Sequence, residues 1–213
     1  MKEYVRPVIA SREFRDERGV VIDYGNRWGV DSPPDDTYSV TSNLERFEPL
    51  HPVADSLIAW LLTAFDATAA DAPESVAASA SASIPASRAV RVTPRDASAA
   101  PLTFVFTDFP GVVVQAGVCY RSHVPVCGCD ACDENWEHGA DELEFTVRAV
   151  VTGGFTERIT GRVKPLVYHA LELPGVGGRS GEGPARDVLS EGEIETARAR
   201  LRSVGTWRPW PTT

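Results

Sequence analysis

Val112-Val113-Val114-Gln115-Ala116-Gly117-Val118 carries apolar residues on both of the faces that a strand alternates between. A run of that kind suits a central strand covered above and below. Upstream, Phe109-Pro110-Gly111 makes a turn, and Leu102-Thr103-Phe104-Val105-Phe106-Thr107 reads as a second strand. Ala89-Val90-Arg91-Val92-Thr93 alternates as a third and is ended by Pro94. Downstream, 155–160 and 163–173 predict two more, the latter carrying Val167, His169 and Leu171 on one face.

Three helices flank these strands. Over 52–67, Val53, Leu57, Trp60, Leu61 and Ala64 recur at helical spacing. Over 132–151, Leu143, Val147 and Val150 form the stripe, and Gly153-Gly154 stops it. Over 189–204, Ser190 and Glu193 open the helix with a capping-box pattern. The expected fold is α+β: a mostly antiparallel sheet of about five strands covered by about three helices.

Residues 1–50 are Pro-rich and aromatic-studded, and read as an extended arm laid on the core, with Trp28, Tyr38 and Phe47 as anchors. Residues 68–88 are rich in Ala and Ser, which predicts a surface loop, or a weak helix over 77–83. Residues 175–183 read as a flexible glycine-rich loop. The 213 residues are expected to form a single domain, 1–213.

The net charge of −9 and the scatter of basic residues argue against a nucleic-acid or anionic-membrane partner. The N-terminus lacks the apolar core of a signal peptide, and no window approaches a membrane span, so a cytoplasmic location is expected. No nucleophile elbow, zinc-protease helix, phosphate loop or dinucleotide fingerprint is present.

The central strand delivers the chain to Val126-Cys127-Gly128-Cys129-Asp130-Ala131-Cys132-Asp133-Glu134, where three of the four cysteines fall within six residues. Four cysteines in a reducing compartment point to metal or redox chemistry more than to structural disulfides. Zinc takes four soft or borderline ligands, and Cys127, Cys129 and Cys132 offer three, with Gly128 permitting the tight turn. For the fourth, His138 points some 120° away from Cys132 on an unbroken helix. Cys119 and His123 share a strand face roughly 13 Å apart, so only one could join, and Pro125 makes His123 the nearer choice. Cys119 is second.

Two other readings stay open. Cys129 and Cys132 are formally a C-x-x-C redox pair, although Asp130, Asp133, Glu134 and the acids beyond them disfavour a thiolate. The cysteines could also be inert packing. The acids themselves read as dipole partners and solvated surface, and His169 as a hydrogen-bonded core residue.

Pro125-Val126-Cys127-Gly128-Cys129-Asp130-Ala131-Cys132-Asp133-Glu134 resembles an actinobacterial family of unknown function. Tyr24-Gly25-Asn26-Arg27-Trp28, Tyr38-Ser39-Val40-Thr41, Glu45-Arg46-Phe47, Pro49-Leu50-His51, Ala100-Pro101-Leu102-Thr103 and Phe109-Pro110-Gly111 support the resemblance, which covers most of the chain. The family pattern has His-Ala-Gly where this chain has Gln115-Ala116-Gly117 and does not clearly supply a thiol at 119, which argues against Cys119 as a ligand. The resemblance implies no activity, substrate or cofactor. The function expected is a bacterial binding or interaction domain, with a possible protein partner and a structural zinc site. The alternative is a metal- or thiol-dependent enzyme using the same cysteines.

Overall fold

The computed structural model of the chain describes residues 3–10, 12–81 and 84–213. Among the described residues the fold is α+β, with two antiparallel sheets and four α-helices. The first sheet is a meander of β1 (Ala67–Asp71), β2 (Ala86–Pro94), β3 (Leu102–Thr107), β4 (Val112–Ala116) and β5 (Tyr120–Val124), in that spatial order. The second contains β6 (Phe155–Thr160), β7 (Leu166–Leu173) and β8 (Gly177–Pro184).

The central strands follow from their sequence. Every residue of β3 is buried, and on β4 only Gln115 is partly exposed. On one face Leu102, Phe104, Phe106, Val112 and Val114 join the main core with helices α1 (Leu50–Ala64) and α3 (Trp136–Val151). The same core takes in Phe155 and Leu171 of the second sheet, so one apolar cluster links the two sheets. Trp207 and Trp210 are buried in it, and the Trp210 indole donates to the Ala100 carbonyl at 2.8 Å.

On the opposite face Val105, Val113 and Ala89 pack against Ala72 and Val76. Val76 belongs to α2 (Pro73–Ser81), which with β1 occupies much of the 68–88 stretch expected as a surface loop or, over 77–83, a weak helix. Pairing with β2 fixes β1 despite its small residues. The buried methyls of Ala72 and Ala89 seat α2 closely on the sheet. Ala82 and Ser83 lie outside the described residues.

Two further differences have local causes. The glycine-rich 175–183 segment, expected as a loop, is mostly edge strand β8, registered residue for residue against β7. Strand pairing there overrides the low β-propensity of glycine. At Gly181 the absent side chain leaves room for the His169 ring, whose Cε1 would lie 2.9 Å from a Cβ. The segment after β4 is not one strand to Val118: Gly117 has φ +61° and turns the chain into β5.

The last main helix, α4 (Glu191–Val204), opens with the expected reciprocal Ser190–Glu193 cap. Among the described residues of 3–49 there are short 3-10 turns at Asp35–Thr37 and Leu44–Phe47 but no α-helix or strand. Phe47 is fully buried, Trp28 is half-buried, and Tyr38 is 55% exposed. Among the described residues no helix is long and apolar enough to cross a membrane.

Candidate metal centre

β5 leads through a cis Val124–Pro125 bond into the 126–134 loop, where the three sulfurs converge. One sulfur atom each from Cys127, Cys129 and Cys132 lies within 4.8 Å of the others, and the Cys127 and Cys129 sulfurs are 3.3 Å apart. Tetrahedral zinc with sulfurs at about 2.3 Å sets them about 3.8 Å from one another, so the donor set and its spacing fit the ion. Cys132 is exposed and the other two are half-buried.

Gly128 is required by packing. A Cβ there would lie 2.3 Å from the Phe109 ring, which itself stacks on Phe47 at 5.7 Å between centroids. The C-G-C turn therefore lies flat on an aromatic floor, and any side chain would lift the first two sulfurs off it.

The loop's charged groups hold it in place. Asp130 is 6% exposed and accepts from the Ser42 amide and hydroxyl at 3.1 and 2.7 Å. Asp133, 7% exposed and at φ +53°, accepts from the Gly25 and Arg27 amides and from Arg27 Nε at 2.5 Å. Glu134 reaches back to the amides of Val126 and Cys127 at 3.0 and 2.7 Å. Arg46, 3% exposed, donates to the carbonyls of Ser42, Gly128 and Glu134 and sits over the Tyr24 and Phe47 rings. Backbone bonds from Asp130 to Val40 and from Ala131 to Thr37 complete the seam between arm and loop.

The reading of these acids as solvated surface is thus corrected for Asp130 and Asp133. The expected helix start at Cys132 is also corrected. The α3 N-cap is Asn135, whose side chain accepts from the His138 amide at 2.8 Å, because the left-handed Asp133 breaks the helix before it.

Proton sharing among the sulfurs is unequal. The Cys132 backbone N–H, then the Cys127 thiol, pull the Cys129 thiol down from 9.0 to about 7. Hydrogen bonding to Cys127 and Cys129 pushes Cys132 up to about 12. Cys129 is thus favoured over Cys132 as a thiolate, and the Cys132 backbone N–H is its donor.

The other two candidate ligands lie elsewhere. His123 is exposed on β5 opposite Val113 and does not join the three sulfurs within that radius. Cys119 is buried with Val167, Ala185, Ile194 and Ala197, and its amide donates to Glu157 at 2.8 Å. Burial, then the Glu157 charge, push its thiol up to about 12. No fourth Cys, His, Asp or Glu among the described residues joins the sulfurs within that radius.

Arg27 and Arg46 are not singled out from the sequence as loop supports; the available signal is arginines set among the aromatics of the arm, ahead of an acidic C-D-A-C-D-E run.

No curated protein and no solved structure matches the chain. A family model described as a family of unknown function (DUF6226) matches residues 10–213, and the chain belongs to that family.

Proposed function

We propose that the chain is a cytoplasmic bacterial binding or interaction domain whose Cys127, Cys129 and Cys132 hold a zinc ion. The observation that carries this reading is the three-sulfur cluster within 4.8 Å, built on a loop whose backbone is fixed by Arg46, Asp130 and Asp133. The ion would supply a cross-link within the 126–134 loop, between the sheet strand that enters it and the helix that follows. The chain's own residues do the rest: Gly128 and Phe109 set the turn, and Glu134 holds the Val126 and Cys127 amides.

Three sulfurs leave one position of a tetrahedron for water, His123 after a local shift, or a group from a protein partner. The enzyme alternative needs a base beside that position, and both carboxylate oxygens of Glu134 are already taken by backbone amides. A thiol-based reading has one specific support, the 3.3 Å Cys127–Cys129 sulfur contact.

Cobalt titration of the full chain separates these readings. The metal reading expects thiolate-to-cobalt absorption saturating at one ion per chain, lost in Cys129→Ser. Absence of that absorption, with a Cys127–Cys129 disulfide forming under mild oxidation, would overturn it in favour of thiol chemistry.

A further inference from the structure

The face of the five-stranded sheet that carries α2 is only partly covered. Beyond Ala89, Val105 and Val113, the next cross-strand row is polar throughout. Arg91 on β2 pairs with Thr103 on β3, Thr103 with Gln115 on β4, and Gln115 with Arg121 on β5. Cross-strand partners share a face, so the antiparallel register assembles these four residues from positions far apart in sequence. Arg200 from α4 and the Trp207 ring close the row into a cleft of about 300 Å³ lined by three arginines and no carboxylate.

These cations are poorly neutralised. Among the described residues Arg91 and Arg121 have no carboxylate within 4.0 Å and make no side-chain hydrogen bond, and the Gln115 amide makes none. Arg200 gives one N–H to the Ala97 carbonyl at 3.2 Å. The nearest buried acid, Glu157, lies under the 117–119 turn, where a Gly117 Cβ would come 2.1 Å from its Oε1. Its oxygens are taken by the Val118 and Cys119 amides and the Trp207 indole at 2.7, 2.8 and 3.0 Å. Glu193, within electrostatic reach of Arg121, is engaged in the α4 capping box.

In a chain of net charge −9, three guanidiniums facing one cleft without an ion-pair partner favour an anionic guest. Guanidinium forks match carboxylate and phosphate oxygens in geometry as well as charge. The volume is at the small end of ligand pockets, which suits a metabolite rather than a polymer.

We propose that this cleft binds a small metabolite bearing an oxyanion group, phosphoryl or carboxylate, gripped by Arg91, Arg121 and Arg200. The Gln115 amide and Thr103 hydroxyl orient it.

Calorimetric titration of the full chain with pyrophosphate and, separately, citrate tests the proposal. Saturable binding of either anion with a dissociation constant of roughly 1 mM or tighter is expected. Stronger binding of pyrophosphate identifies a phosphoryl ligand, and stronger binding of citrate a carboxylate. The Arg91→Gln/Arg121→Gln double variant should bind at least about tenfold more weakly, the loss of about 1.4 kcal/mol. Arg202→Gln, on α4 but outside the cleft lining, should bind as the parent does. If the double variant melts below the titration temperature, the exposed single variant Arg200→Gln replaces it, with weaker binding again expected. Absence of saturable binding for both anions, or equal weakening by Arg202→Gln, would overturn the proposal.

Discussion

The four cysteines of this chain occupy two regions that treat the same side chain in opposite ways. In the 126–134 loop, three sulfurs crowd together, reachable from solvent, with backbone N–H groups turned toward Cys129. Around Cys119 a single thiol is 3% exposed among Val167, Ala185, Ile194 and Ala197, with the Glu157 carboxylate alongside. The loop is stabilised by charges and hydrogen bonds that fix polar atoms, and the pocket by exclusion of water. Convergence with accessible lone pairs makes a site, whereas burial alone makes packing.

The strongest way to break this contrast is to remove the charge that holds the loop. Arg46→Ala leaves the buried Asp130 with Arg27 alone, at 3.8 Å, as its cation and strips the donor from the buried-loop carbonyls of Ser42, Gly128 and Glu134. Urea unfolding should show a loss of about 3–5 kcal/mol, with metal affinity lowered as well. Gly128→Ala comes next. Pressing a methyl against Phe109 should cost about 1–3 kcal/mol by the same measurement and move the sulfurs apart.

Cys119→Ala should be milder, about 1 kcal/mol from a small buried void. It should leave metal content unchanged, and an equal loss of metal would erase the distinction between the two regions. The smallest effect is in pH dependence. Cys129 has its folded pKa depressed to about 7 from 9.0, so in metal-free protein its contribution is complete above pH 9 and fades as pH falls through 7. Cys119 is raised to about 12, so its contribution is complete below pH 9 and lost as pH rises toward 12. Melting temperatures of Cys129→Ser and Cys119→Ala across those windows should diverge from the parent in opposite directions of pH.

The fold was legible where side-chain pattern and pairing agree. Leu102–Thr107 and Phe155–Thr160 have the bounds their apolar patterns predict, because these segments hold their faces against the core. β8 was not legible, since four glycines within Gly177–Pro184 carry no pattern and only the register with β7 makes them a strand. The cysteine cluster was legible as a spacing. Its supports were not, because Arg27 and Arg46 lie roughly a hundred residues before the acids they hold. The arginine cleft was invisible for the same reason: Arg91, Thr103, Gln115 and Arg121 are isolated polar residues until the register aligns them.

Whether three sulfurs share one ion is tested most directly by thiol counting with and without a chelator, alongside metal analysis. The expected result is zinc at one ion per chain, three thiols protected until the chelator is added, and Cys119 unreactive until the chain unfolds. Metal-free protein in which Cys127, Cys129 and Cys132 react at once, with a melting temperature unmoved by added zinc, would contradict it.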